Sequence, residues 1–385
     1  MCDTTAGVTS VAVTSVPTSL EAPRALPSPS RAVEFLATGG ATLLLLPLCW
    51  ALPRALGMER ADLVVGFTTF HAAHIINDPH FAVTYLLFYR DVRARLFGEQ
   101  LPGAQRARYL FAGFVAPLLL MGWVVSGLAM QSARSIGALT QLMFLLVGWH
   151  YVKQGFGVVT LLSARRGQSY GLGERRVLLA HCFSAWAYAW ASPFDPGRTV
   201  EEKGVIYTTL AQPVWLEPLT RGVFWLSAAL LLLMLLRKWR REGRLALSPL
   251  VGLLASVWSW TVYSGIDPLF MYLIPALHSV QYLYFVWLLK RSQAAAHEGA
   301  PSFGRPVSVV LGAWAAGACL LGLVLFHLLP SALDTGLVDA RRARFSELGP
   351  TPYFAALFAF VNLHHYFMDF VIWRRENPET HYLRL

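Results

Sequence analysis

The chain has 385 residues, 55% of them hydrophobic and only 14% charged, with thirteen tryptophans, so lipid rather than water is the solvent for most of it. A formal charge of +10 would suit nucleic acid only on a basic, water-facing domain, and no inter-helix segment is long enough to form one. The scattered Cys2, Cys49, Cys182 and Cys319 exclude a disulfide framework or a thiolate metal site and read as packing residues.

Residues 1–32 are rich in Ser, Thr, Pro and Ala and lack a periodic apolar face, which predicts a disordered tail. A signal peptide is not expected, because the first apolar run opens only at Val33 and is long enough to span. Runs of the length needed to cross a bilayer then follow at 33–53, 61–89, 107–130, 135–163, 174–192, 219–236, 247–263, 268–289, 305–329 and 351–373. They predict an all-α, polytopic transmembrane bundle of about ten spans over residues 33–375, closed by a short tail at 376–385. The "SGIDP" stretch at 264–268 is either a tight turn or a break within one element. The longest outer loop, 193–218, reads as a plain connector with Trp215 at the interface.

Lys and Arg collect on one side of this map, 22 against 9 with Lys153 left inside a span. By the positive-inside tendency both termini are cytoplasmic. The expected location is a bacterial inner membrane, crossed many times.

Eight histidines fall within spans: His71, His74 and His80 in the second, His150 in the fourth, His181 in the fifth, His278 in the eighth, and His364 and His365 in the tenth. His327, near an outer helix end, is explained by interfacial solvation. Counted from the inner charged end of each helix, His80, His150, His278 and His364 lie roughly 15 to 22 Å deep at about 1.5 Å per residue. Helical spacing also aligns His71, His74 and Asp78; His150, Lys153, Gln154 and Gly157; His278, Gln281 and Tyr282; and Asn362, His365 and Asp369. Each helix thus has one polar seam, which must face the interior because polar groups against lipid cost several kcal/mol. Asp78-Pro79 is expected to break the second helix and swing His80 towards the other histidines.

Neutral imidazoles with carboxylates and no thiolate suit iron, zinc or copper. The expected metal ligands are His71, His74, His80, His150, His278, His364 and His365, around one or two transition-metal ions, with iron favoured. Asp78, Lys153, Gln154, His181, Gln281 and Asp369 are expected to support them from behind. Lys153 is expected to neutralise a buried aspartate, with a substrate-binding or catalytic amine as the alternative.

The stretches "NDPHFAVTYLLFYRD", "WHYVKQGFG", "HSVQYLYFVW" and "HHYFMDFVIWRR" resemble the signature segments of a group of uncharacterised bacterial polytopic membrane proteins. More distantly, the arrangement is similar to histidine-box membrane oxygenases, namely fatty-acid desaturases and hydroxylases and the Brp/Blh carotene dioxygenases. Desaturase boxes read H-x-x-x-H and H-x-x-H-H at cytoplasmic helix ends. Here "HAAH" and "HH" lie deeper, which favours the carotene-cleaving architecture.

The expected function is therefore a membrane metal-dependent oxidoreductase acting on a lipid or isoprenoid, with a hydrophobic substrate, the bilayer and an electron-donor protein as partners. A b-type haem electron carrier and a proton-coupled transporter are the alternatives.

Overall fold

The computed structural model describes residues 29–191, 197–263, 267, 269–299, 302–339 and 346–383. Most of the expected tail and of the "SGIDP" stretch lies outside the described residues. The chain opens with α1 (Arg31–Phe35), capped by the Ser30 side chain on the Val33 amide, and a π-helical turn Leu36–Gly40. It continues through α2 (Thr42–Leu56), α3 (Met58–Ala73), α4 (Asn77–Tyr89) and α5 (Val92–Phe97). The helices α6 (Gly103–Ala129), α7 (Ala133–Arg165) and α8 (Leu172–Ala191) follow. After a β-hairpin come α9 (Leu216–Glu242) and α10 (Leu247–Trp258), which runs into a π turn at Ser259–Tyr263. The last helices are α11 (Phe270–His297), α12 (Val307–Leu337) and α13 (Pro352–Ile372), before a 3-10 turn at Pro378–Leu383.

Six of these, α6, α7, α9, α11, α12 and α13, are long and apolar enough to cross a bilayer. The bent pair Arg31–Gly40 and Thr42–Leu56 would make a seventh if its halves form one span. The helical, multi-pass architecture expected from the sequence is thus present. The ten apolar runs do not all map onto straight spans: three are short or broken, and the helix of the fifth, α8, is not among those apolar enough to cross.

The first run bends by 57° at Thr38 and Gly39, which leave helical geometry, Gly39 at φ +127°. Glycine fits there twice over, since it tolerates that φ and lets the backbone touch Gly252 of α10. The second run divides into α3 and α4 at His74–Ile76. The expected break at Asp78-Pro79 is therefore displaced towards the N-terminus. Pro79 sits in the first turn of α4, where its missing N–H has no intrahelical partner to lose. It starts a helix rather than kinking one. The seventh run gives a helix of 12 residues and a π turn.

The loop read as a plain connector contains two antiparallel strands, β1 (Thr199–Glu202) and β2 (Val205–Thr208). Lys203 and Gly204 both have positive φ, 54° and 84°, the requirement of the two-residue turn whose twist matches a hairpin. The hairpin is tied down by the Ile206 amide on the Glu347 carbonyl at 2.7 Å and the Thr351 hydroxyl on the Lys203 carbonyl at 3.0 Å. Tyr207 packs against Gly137 of α7.

The most enclosed span is α13, with the small buried residues Ala355, Ala356 and Ala359 on its surface. Small residues let neighbouring backbones approach in a bilayer, where no hydrophobic effect drives helices together. Around α13 pack α4, α6 and α7, and α11 lies against α4. The outward faces carry exposed Phe67, Phe70, Leu118 and Leu119, the surface expected where the solvent is acyl chain.

Candidate metal centre

Four helices bring one imidazole each to the middle of this packing: His80 from α4, His150 from α7, His278 from α11 and His365 from α13. They are 1%, 2%, 8% and 0% exposed. The Nε2 atom of His150 lies 3.0 Å from Nε2 of His278 and 3.3 Å from Nε2 of His365. The His80 ring stands 5.0 Å from His278 and 4.5 Å from His365, centre to centre. His80, His150 and His278 each offer a nitrogen within 4.8 Å of the others', close enough to share one ion.

What lies behind the rings decides where their protons are. The Ser279 hydroxyl donates to Asn77 Oδ1 at 2.9 Å, so at 3.1 Å from His80 Nδ1 its oxygen accepts the ring's N–H. His80 Nε2 is then a bare lone pair, and this buried nitrogen has no hydrogen-bond partner. A buried polar atom left so costs about 1–3 kcal/mol. His150 Nδ1 lies 3.4 Å from Asp369 Oδ2, a carboxylate that accepts from the Trp373 indole and the Tyr282 hydroxyl. With the His150 proton on Nδ1, facing this carboxylate, Nε2 would be a second lone pair. The carboxylate–histidine and hydroxyl–histidine pairs are the kind of support that orients metal-binding imidazoles and raises their basicity.

Two lone pairs aimed into one dry space cannot hydrogen-bond each other. A cation relieves that frustration by accepting from all the nitrogens at once. The buried histidine group could therefore hold a metal ion, with Asp369 as the nearby negative charge that offsets part of its own.

The remaining sequence candidates lie elsewhere. His364 faces away from its neighbour His365. Its Nε2 donates to the Ala112 carbonyl at 3.0 Å and its Nδ1 accepts from the Tyr85 hydroxyl at 3.0 Å. Ala112 belongs to a π-helical turn, Phe111–Val115, where the regular bonding pattern is interrupted, so His364 supplies a missing donor and has no lone pair to spare. His71 is exposed and bonds the Phe67 carbonyl of its own helix at 2.9 Å. Spacing had aligned it with His74 and Asp78, but the chain breaks between α3 and α4, before Asp78. His74 and Asp78 meet His327 instead, in a separate group; the sequence reading had set His327 aside as interfacial.

The expected supporting residues divide in the same way. His181 accepts from the Trp258 indole at 2.9 Å and pairs with Ser227 at 3.0 Å, bracing α8, α9 and α10. Gln281 donates to the Thr38 carbonyl at 2.9 Å, filling the gap that the bend leaves in the first helix. Gln154 donates to the Gln281 side chain at 2.8 Å and the His278 carbonyl at 3.2 Å. Both hold backbone rather than ring nitrogens. Lys153 has no carboxylate partner among the described residues; its ammonium lies 5.7 Å from the Phe183 ring centre and 5.6 Å from that of Phe370. It fills its place with its stem and with cation–π contacts.

Ser279 and Asn77, which fix the His80 proton, were missed by sequence reading. Ser279 directly follows His278, so helical spacing put it off the polar seam.

A small cleft of about 30 Å³ between α7, α10 and α11 is lined by Tyr151, Val257, Ser259, Ile274, Leu277 and His278, among others. Tyr151 stacks on the His278 ring at 3.8 Å, at the inner end of that cleft.

Comparison of the chain with protein-family models, with curated proteins and with solved structures finds no match.

Proposed function

We propose that the chain is a membrane-embedded metal-dependent oxidoreductase of the oxygenase, hydroxylase or desaturase type, acting on a lipid or isoprenoid. The observation that carries this reading is the His80 Nε2 lone pair, fixed by Ser279 and left without a partner beside three further imidazoles. A buried imidazole nitrogen without a partner, facing other imidazoles, is where an ion would bind.

The donor set is all imidazole. It suits an ion that shuttles electrons as well as one that only polarises, and iron is the favoured occupant. Such an ion, when bound, supplies redox chemistry that amino acids lack. The chain's own residues do the rest. Asp369 holds the His150 proton away from the centre, Ser279 does the same for His80, and the burial of all four rings excludes water from the space between them. The small cleft beside Tyr151 marks the side from which a hydrophobic substrate would approach His278.

A b-type haem fits this geometry poorly. The facing nitrogens of His150 and His278, 3.0 Å apart, leave no gap for a macrocycle. The other alternative, a proton-coupled transporter, has less support, because His80 and His150 have their protons tied outward to Ser279 and Asp369.

The resemblance of the four motif stretches to bacterial polytopic membrane proteins and to carotene-cleaving oxygenases agrees with this reading. The proposal includes a bacterial inner membrane as location, cytoplasmic termini, up to ten membrane crossings with the short and broken runs included, and an electron-donor protein as partner. The test is oxygen uptake by iron-loaded protein in lipid nanodiscs with a chemical reductant, together with mass spectrometry of the lipids and of added carotenoid. The reading expects uptake coupled to an oxygenated or desaturated product and lost in His150→Ala. Metal-loaded protein that turns over none of these substrates, with uptake equal to that of His150→Ala, would contradict it.

A further inference from the structure

The break between α3 and α4 sets a second group of ligand-type side chains outside the four-histidine cluster. His327 Nε2 lies 2.8 Å from Asp78 Oδ2, and His74 Nδ1 lies 3.4 Å from the same oxygen. The two rings stand edge to face with centres 4.4 Å apart. Two segments distant in sequence, the α3–α4 break and α12, thus meet at one carboxylate oxygen, with one ligand atom from each of the three residues within 4.8 Å of the others.

Two features suggest that the convergence is built. His327 lies in the π-helical turn Val324–Leu328 of α12, and a π turn re-aims a side chain at a cost in helix regularity that is frequently kept for function. Gly322 of α12 rides against the Asp78 backbone so closely that a Cβ would meet the Asp78 carbonyl carbon at 2.9 Å, and this approach brings His327 within reach. The Asp78 side chain is 8% exposed, whereas those of His74 and His327 are 42% and 33% exposed. The carboxylate is therefore sheltered while the imidazoles open outward.

We propose that His74, Asp78 and His327 form a second, exchangeable site for a divalent first-row transition-metal ion. Two imidazoles and one carboxylate on one side of an ion leave its other positions for water or an incoming ligand. The carboxylate also lowers the charge of the occupied site, which suits a position at the edge of a bilayer. The site is joined to the inner cluster through α4 itself: Asn77, beside Asp78, accepts from Ser279, which holds His80. An ion arriving at the break is thus two residues from the helix position that faces the inner centre. The outer site stands on its own geometry and does not need the inner centre to be redox-active.

The test uses the full chain purified in detergent, stripped with a chelator and titrated with Co²⁺, with bound metal counted after desalting and the visible spectrum recorded. The expected result is two classes of Co²⁺, one removed rapidly by added chelator and one slowly. His327→Gln and His74→Gln are each expected to weaken the rapid class about tenfold or more and to leave the slow class in place. His150→Ala is expected to do the reverse, so the two sites fail separately. His74 is exposed enough that its glutamine variant keeps the fold even if His327→Gln does not. A rapid class unchanged in both glutamine variants, or no rapid class in the wild type, would overturn the proposal and leave the triad as a hydrogen-bonded brace across the helix break.

Discussion

The Nε2 atoms of His150 and His278 face each other at 3.0 Å across the boundary between α7 and α11, and Asp369 Oδ2 lies 3.4 Å from Nδ1 on the opposite side of the His150 ring. The pair joins helices 128 residues apart in sequence through nitrogens rather than through carbon packing. With the His150 proton on Nδ1, the contact is complete only if His278 donates or if an ion sits against both. Much of the metal-binding reading depends on which of these holds.

Asp369→Asn keeps the shape of the side chain and removes its charge. Supporting groups of this kind are worth about 10–100-fold in metal affinity. A loss in that range is expected in a competition assay with a metal-binding dye, with the metal count at saturation unchanged.

Ser279→Ala leaves His80 Nδ1 without its acceptor, so the ring can carry its proton on Nε2, pointing into the cluster. The expected effect is roughly tenfold weaker metal binding. Metal titrations of the variant and the wild type at a pH where the rings are neutral check it.

His364→Phe separates the neighbouring histidines by function. It removes the donor to Ala112 and the acceptor for Tyr85, at an expected cost of about 1–3 kcal/mol for buried groups left unpaired. Unfolding in mixed detergent should show that loss, while metal content stays at the wild-type value.

Gly39→Ala tests the bend in the first helix. Alanine at φ +127° is strained and its Cβ collides with Gly252, so a destabilisation of about 1–3 kcal/mol is expected, with more if the helix cannot shift. The same unfolding assay reads it.

The sequence revealed a great deal where periodicity survives folding. In α7 and α11, continuous helices of 33 and 28 residues, the counts that put His150 and His278 at one depth carry straight into space. Asp369 also lies one turn beyond His365 and reaches His150 as its seam suggested. Where a helix breaks, counting is less exact: the break expected at Asp78-Pro79 falls at 74–76, leaving His71 exposed, His74 in the outer triad and His80 in the inner cluster. Adjacent residues could not be told apart either. His364 and His365 differ only in the face they occupy, and the π turn that gives His364 its carbonyl partner has no signature in composition. The hairpin was hidden in a polar loop, although Lys203-Gly204 between β-branched residues was its mark.

The most direct test of the central claim is metal K-edge absorption on protein loaded with one equivalent of Fe²⁺ or Co²⁺, paired with elemental analysis of the wild type and of His150→Ala. The account predicts one tightly held ion per chain in a shell dominated by imidazole nitrogen, lost or depleted of nitrogen in the variant. Protein that retains no ion, or one whose shell is unchanged by His150→Ala, would contradict it.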